Sequence, residues 1–566
     1  MIEMNTIVLM MMIFWGILAV FAWRLRAGIG FLGDVVAGMT GFMLGKALGP
    51  GATILEGRSG TASSAWINHG MVWLFLGASI TFVDLWLGHS PNALHSLQSW
   101  SWDLTGDAAY TPSVMTTFGG MIMLLIGCSL HIVPRMSDKP LANETNAGLM
   151  AMMFSVGILL FILGSQVTHE IGNMIAFGGY ALSALSSVAI IANLLLSIRE
   201  QTTGLQAPQW FIIIGLIGYF VSQITFVLMG KDAAPHTLWI SEQLHIGMFL
   251  CVIFGVVYYA IPSTTGIPIP SRSLVALTLV GTVFTVSPMT YDPAMLNFLD
   301  LTWFPLNHGV TAGASFPPCG AEVNCTSSLI ITTLMALSIP VMFMFSTNVL
   351  TAVRRSGAIF EDTALTLIAF GAFMLPIMAI ASLFTTLDAM SGSNELAAAI
   401  SSIRLGAVWT AIIPLALGGT LAILPDVSGK ELESQASGVK AVWFLGLGAV
   451  GAFLVNMMSD FAEISFAEAG LEEGVSSTAA ELEPIASILF YGVVLGVLFL
   501  AQNVVRGTRS HDAGPEFSIL GPSRYVISGT TTVRDLLTAG VTLDTVLSTE
   551  DEDDDQVGPT VLSEEE

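Results

Sequence analysis

Apolar runs of about twenty residues recur from one end of the chain to the other, each long enough to cross a hydrocarbon core of about 30 Å as a helix. Read as spans, they fall at roughly 7–24, 29–48, 66–88, 113–134, 147–165, 172–198, 209–229, 238–262, 272–291, 328–350, 362–386, 401–424, 440–460 and 484–505. This pattern predicts an all-α fold, a polytopic membrane helix bundle of about fourteen transmembrane helices. The first run, "IVLMMMIFWGILAVFAW", has no basic segment before it and "RLRAG" after it, so it is expected to remain as a span rather than be cleaved as a signal peptide. The second is glycine-rich and contains Asp34, which leaves open whether it crosses fully. From about Gly507 the apolar runs stop, and the acidic "STEDEDDDQVG" reads as part of a small polar tail. No short-period repeat is visible, which argues against a solenoid, and no matched pair of interrupted helices points to a transporter.

Composition sharpens the class. Only 11% of the 566 residues are charged and 53% are hydrophobic, where a soluble domain carries about a quarter charged residues. Basic residues fall in alternate loops: Arg58, Arg135 with Lys139, Arg199, Arg272, Arg354 with Arg355, Lys430, and Arg506 with Arg509. The positive-inside rule assigns these to the cytoplasm and places the acidic loops around Asp103, Asp300, Glu322 and Glu472 outside. Lys231 is an exception, and Arg24 and Arg26 break the rule if both early segments span. The expected setting is the cell (plasma) membrane, with a cytoplasmic tail and the lipid bilayer as partner. A net charge of −24 argues against a nucleic-acid partner. Of the four cysteines, Cys128 and Cys251 lie in apolar runs and read as small packed hydrophobes. Cys319 and Cys325 share the loop "PPCGAEVNC", where a disulfide and a pair of free thiols are both open readings.

Ionisable groups inside spans carry the candidate chemistry. Glu242 and His245, in "LWISEQLHIGMF", share a helix face; Arg404 lies in "ISSIRLGAVW" and Asp292 in "SPMTYDPAM". The four are expected in one layer of the bundle, as a structural ion-pair cluster or as a proton or metal site. His69 and His131 sit near the inner ends of their spans and read as packed or interfacial, while His169, His236 and His308 fall in loops or helix starts. Nine scattered histidines make poor material for a multi-ligand metal site, which leaves His245 as the one metal candidate. P-loop, nucleophile-elbow and dinucleotide-binding motifs are absent from the sequence.

Several segments, in order, resemble catalytic subunit I of the haem–copper oxidases, in the C-type (cbb-type) branch. "GVVYYAIPSTTGIPIPSRS" resembles that family's sixth core helix and the loop after it, and "SPMTYDPAM" the end of the seventh. "MFSTNVLTAVRRSGAIFED" resembles the eighth; "AILPDVSGKELES" with "VKAVWFLGLGAVG", the tenth and eleventh; "ILFYGVVLGVLFLAQNVVRGT", the twelfth. The resemblance implies a twelve-helix core with pseudo-threefold arcs. Residues 1–112 then hold extra helices plus the first core helix, 113–506 the core bundle and 507–566 the tail.

The family's redox chemistry needs six histidines: two on a low-spin haem, one on a high-spin haem and three on copper. The resemblance puts the haem histidine of the second core helix near Pro112 or Ser113, and the copper histidine of the sixth near Glu242, one turn before His245. The paired copper histidines of the seventh fall on Met289 and Thr290, and the HxH of the tenth reads "SIR", with Arg404 in place of a histidine. The expectation is a non-catalytic or divergent subunit of a respiratory complex without a complete haem–copper centre and without cofactor. A divergent active terminal oxidase or nitric-oxide-reductase-like enzyme, with haem and copper, and a proton- or ion-coupled transporter are the alternatives.

Overall fold

The computed structural model describes residues 59–89, 111–137, 139–167, 170–199, 205–229, 235–285, 326–391, 399–429 and 431–507. The two N-terminal spans, the tail, Asp292, Met289, Thr290, Cys319 and Cys325 lie outside the described residues. Twelve helices follow one another: α1 Thr61–His89, α2 111–137, α3 Glu144–Ser165, α4 Glu170–Arg199, α5 Ala207–Met229, α6 Pro235–Thr265, α7 Arg272–Phe284, α8 Thr326–Ser356, α9 Thr363–Ser391, α10 400–428, α11 Gln435–Glu468 and α12 Glu472–Arg506. Among the described residues there is no strand. Nine of these helices are long and apolar enough to cross a bilayer, and α5, α6 and α7 contain shorter apolar stretches. Most ends fall within a few residues of the hydropathy reading. The exceptions are α7, which ends at Phe284 with its cap at Thr285, short of the expected 291, and α11 and α12, the last two of 34 and 35 residues. At about 1.5 Å per residue these run to about 50 Å, beyond the hydrocarbon core. Glu472, read from the sequence as part of an acidic loop, is the first residue of α12. Hydropathy registers only the part of a helix that must be apolar.

The helices form two layers. At the centre α2, α6 and α10 pack on one another; around them α1, α3, α4, α5, α7, α8, α9, α11 and α12 make a ring that closes back on α1. The spans in α2 and α10 are 100% and 94% buried, against 39–67% for the spans in the ring. With lipid as apolar as leucine, close packing decides such contacts, and small residues permit it. In the α3–α4 pair Gly157, Gly164, Gly172 and Gly179 bring the two backbones together: a methyl on Gly179 would strike the carbonyl of Gly157 and the amide of Phe161. Gly178, its neighbour, faces open space. Gly178→Ala is therefore expected to stabilise by about 0.5–1 kcal/mol through helix propensity. Gly179→Ala is expected to destabilise by about 1–3 kcal/mol through overpacking. Parallel unfolding titrations of the two variants check the contrast in sign.

The three central helices end alike. Pro134, Pro262 and Pro425 stand in their last turns, and their carbonyls accept the amides of Lys139, Gly266 and Gly429 at 3.1, 3.0 and 2.9 Å. Nine residues after each proline comes the cap of the next helix: Asn143 for α3, Ser271 for α7 and Ser434 for α11. Each cap side chain accepts the amide three residues on, that of Asn146, Leu274 or Ser437, satisfying an orphan donor of the helix start.

Each cap is in turn clasped by an asparagine near the end of the following helix. Asn193, Asn348 and Asn503 accept the cap amide on Oδ1 at 3.1, 3.0 and 2.9 Å. Their Nδ2 groups donate to the cap carbonyl at 2.7, 2.9 and 2.8 Å. The bundle is thus three four-helix units, α1–α4, α5–α8 and α9–α12, built alike on one face. That face carries Arg135, Lys139, Arg272, Arg354, Arg355 and Arg506 and is called the basic face below. The residue after the cap adds a second tie in two units. Glu144 accepts the amides of Gly60 and Ala62 at the start of α1, at 2.9 and 3.1 Å. Gln435 Oε1 accepts the amide of Thr363 at the start of α9, at 2.9 Å. The middle unit has Arg272 there, whose side chain offers no acceptor.

Candidate functional site

The shared ends of α2, α6 and α10 set their register, because residues equally far before Pro134, Pro262 and Pro425 stand level. Contacts lower in the bundle agree. The rings of His131 and Tyr259 meet edge-on with centroids 6.3 Å apart, and a methyl on Gly419 would strike Val256. Cys128 Sγ lies 3.3 Å from Thr420 Oγ1. Carried toward the opposite face, to within about one turn, the register brings Arg404 level with residues 113 and 241, and His245 level with Thr117 and Val408. Glu242 and His245 are helical residues of α6 of which only the backbone is described.

Both neighbouring helices change pitch in this layer. α2 is π-helical over Val114–Ile122 and α10 over Val408–Ile412. Such wide turns re-aim side chains and recur at functional sites. In α2 the wide turn lies against α1, with Gly119 facing Trp73, Gly120 facing Leu74 and Gly77 facing Thr116.

On α10 the "SIR" triplet splits between two flanks. Ser402 is buried and donates its hydroxyl to Asp460 Oδ2 of α11. Gly406, one turn on, faces Phe453 of α11 and Met378 of α9. Two residues turn an α-helix by about 200°, so Arg404, 6% exposed, leaves α10 on the flank away from α11. Within the wide turn Trp409 packs edge-on against Phe490 of α12, centroids 5.4 Å apart. Asp460 was not among the sequence candidates, because the apolar run was read as ending there. It stands within Coulombic reach of Glu463 and Glu483, and Ser459 Oγ donates to Glu463 Oε1 at 3.4 Å.

The haem and copper implied by the resemblance can be tested against these donors. Arginine carries no lone pair for a metal and stays protonated in proteins, and neither arginine nor serine belongs to the usual axial sets of haem iron. The Ser402 hydroxyl is already committed to a carboxylate, and α2 offers Thr111, Pro112 and Ser113 at its own haem-ligand position. Among the described residues no three His, Cys, Asp or Glu side chains converge as a metal site would require. The described donor set does not fit the family's haem irons. The other histidines have separate roles. His69 is half-buried, with Nδ1 2.7 Å from Ser155 Oγ, which also accepts from Trp73 Nε1 at 3.1 Å. His131 is buried beside Tyr259 on the basic-face side. Cys128 and Cys251 are buried free thiols.

No protein-family profile matches the chain, and no curated protein matches it. Solved structures do: a chain from the cryo-EM structure of a heme-copper terminal oxidase dimer aligns with TM-score 0.57 and 12% identity, over 80% of this chain and 84% of that one. At that identity the likeness is one of fold. The described bundle, with three central helices inside a closed ring and one face built three times over, is a membrane-helix fold of the heme-copper terminal oxidase type.

Proposed function

We propose that this chain is a membrane subunit of oxidase fold in which an ion pair stands where the family carries its metal centre, and that it serves a respiratory complex as a non-catalytic component. The observation that carries the reading is the "SIR" triplet of α10, with Ser402 bound to Asp460 and the Arg404 guanidinium buried on the opposite flank. A guanidinium inside a bundle needs a counter-charge, and the register of α6 and α10 supports Glu242 in that role. Asp292 and His245 complete the cluster in this reading. The resulting pair keeps a positive centre in the middle of the fold, as a haem iron does, and holds α6 against α10 without redox chemistry. The acidic tail is taken to lie in the cytoplasm and the basic face to point the same way, in the plasma membrane.

Haem quantification of the purified full chain tests this. The expected result is no stoichiometric haem in a pyridine-haemochrome assay; two haems per chain would overturn the reading in favour of an active oxidase.

A further inference from the structure

The basic-face half of the three central helices contains a second polar cluster, about five turns from the "SIR" layer. His131 of α2 is 5% exposed, and its Nε2 is buried with no hydrogen-bond partner among the described residues. Tyr259 of α6 lies edge-on to its ring. The Arg135 guanidinium, one turn along α2, donates to the Tyr259 hydroxyl, and Asp426 of α10 lies within Coulombic reach of that hydroxyl. Arg135 and Tyr259 are buried, whereas Asp426 is half-exposed near the end of α10. His131 thus faces Arg135 of its own helix and the Tyr259 ring of α6, while Asp426 of α10 faces the Tyr259 hydroxyl.

We propose that His131, the Pro134 and Pro262 kinks and Tyr259 enclose a buried water, and that Arg135 and Asp426 connect it to the basic face as a proton-exchange site. An imidazole nitrogen always presents a donor or an acceptor, and leaving one buried and unmatched carries the full cost of its lost hydration. Water is the usual partner where protein supplies none. The prolines provide its other contacts: having no amide hydrogen, Pro134 and Pro262 give none to the carbonyls four residues back, those of Leu130 and Tyr258. These carbonyls belong to the same turns as His131 and Tyr259, and in membrane helices water takes up such freed groups. Asp426 is the one half-exposed member, so it forms the mouth. Exchange moves a proton between the water and His131 Nε2 with no change in covalent bonding elsewhere. This site is independent of the metal question in the "SIR" layer.

Hydrogen–deuterium exchange at the imidazole Cε1–H, read by mass spectrometry on the full chain in lipid nanodiscs, tests the site, with half-buried His69 as internal reference. His131 is expected to exchange at a rate that varies with pH, and several-fold more slowly in Asp426→Asn. Tyr259→Phe, which keeps the ring, is expected to slow it likewise and covers the case in which Asp426→Asn does not fold. An unexchanged His131 beside an exchanging His69 would overturn the hydrated site. Exchange at the wild-type rate in the variants would overturn the route through Tyr259 and Asp426. Haem content does not enter this measurement, so its outcome is distinguishable from that of the proposed function.

Discussion

Asn348→Ala is expected to lower the unfolding free energy by about 2–4 kcal/mol, and Asn193→Ala and Asn503→Ala by similar amounts. Each buried asparagine makes two hydrogen bonds to the backbone of one residue, accepting its amide and donating to its carbonyl. That residue is the cap on which the next helix starts. Alanine removes both bonds, leaving the Ser271 amide without its acceptor and the Ser271 carbonyl with the amide of Val275 at 3.3 Å. Aspartate is the sharper probe: it keeps the acceptor but turns a second oxygen on the cap carbonyl, so Asn348→Asp is expected to cost at least as much as alanine. The three clasps share no partner, so their effects should nearly add. The triple alanine variant then loses about 6–12 kcal/mol, comparable to the whole stability of a typical fold. Unfolding of the detergent-solubilised chain followed by loss of helix would measure it. A single variant within about 0.5 kcal/mol of wild type, the range of an ordinary surface change, would show that the clasp is dispensable.

Glu144→Ala is expected to cost about 2–4 kcal/mol, since hydrogen bonds to a charged group contribute about 1.5–3 kcal/mol each and two buried amides lose their acceptor. The Glu144 carboxylate caps α1 from the start of α3, one oxygen on Gly60 and the other on Ala62. A negative charge there also meets the positive end of the α1 dipole. Glu144→Gln keeps one acceptor oxygen and is expected to recover part of the loss, because Gln435 does the equivalent work with one amide oxygen on Thr363. The α1 start should be the place where the change is felt. Proteolytic nicking near Gly60, faster in the alanine variant than in the glutamine variant, would locate it; equal rates in both would place the role of Glu144 elsewhere.

Much of the fold was legible in the hydropathy of the chain. The bilayer demands a long apolar stretch from each spanning helix, and that demand is local, so the core spans from 66 to 505 could be read one by one. The oxidase-like order of segments was legible too, from motifs around Pro262, Asn348 and Pro425, and the fold likeness bears it out. The candidate site was legible in part. Arg404 was singled out by its cost inside a membrane and is buried as that cost requires. Ser402 and Asp460 were not, since a serine on a helix is unremarkable and Asp460 stands where the apolar run gives out. Their bond joins residues 58 apart in the chain, and no local pattern records it.

The sequence by itself determined that the described chain is a bundle of long apolar helices and which of their ends are basic, because both follow from the properties of one segment at a time. It also contained the threefold plan, in three prolines each nine residues ahead of a cap. The resemblance implied pseudo-threefold arcs, but the pattern itself was not readable as a repeat, because the clasping asparagines follow the caps at unequal distances, Asn193 after Asn143, Asn348 after Ser271 and Asn503 after Ser434. Only the tertiary structure brought the caps and clasps to one face and aligned the three prolines at one level. Only it showed that His131 meets Tyr259 there and that Asp426 lies within Coulombic reach of the Tyr259 hydroxyl. The physical reason is that a hydrogen bond between helix ends depends on where the helices pack, and packing is decided by small-residue contacts spread over the whole bundle.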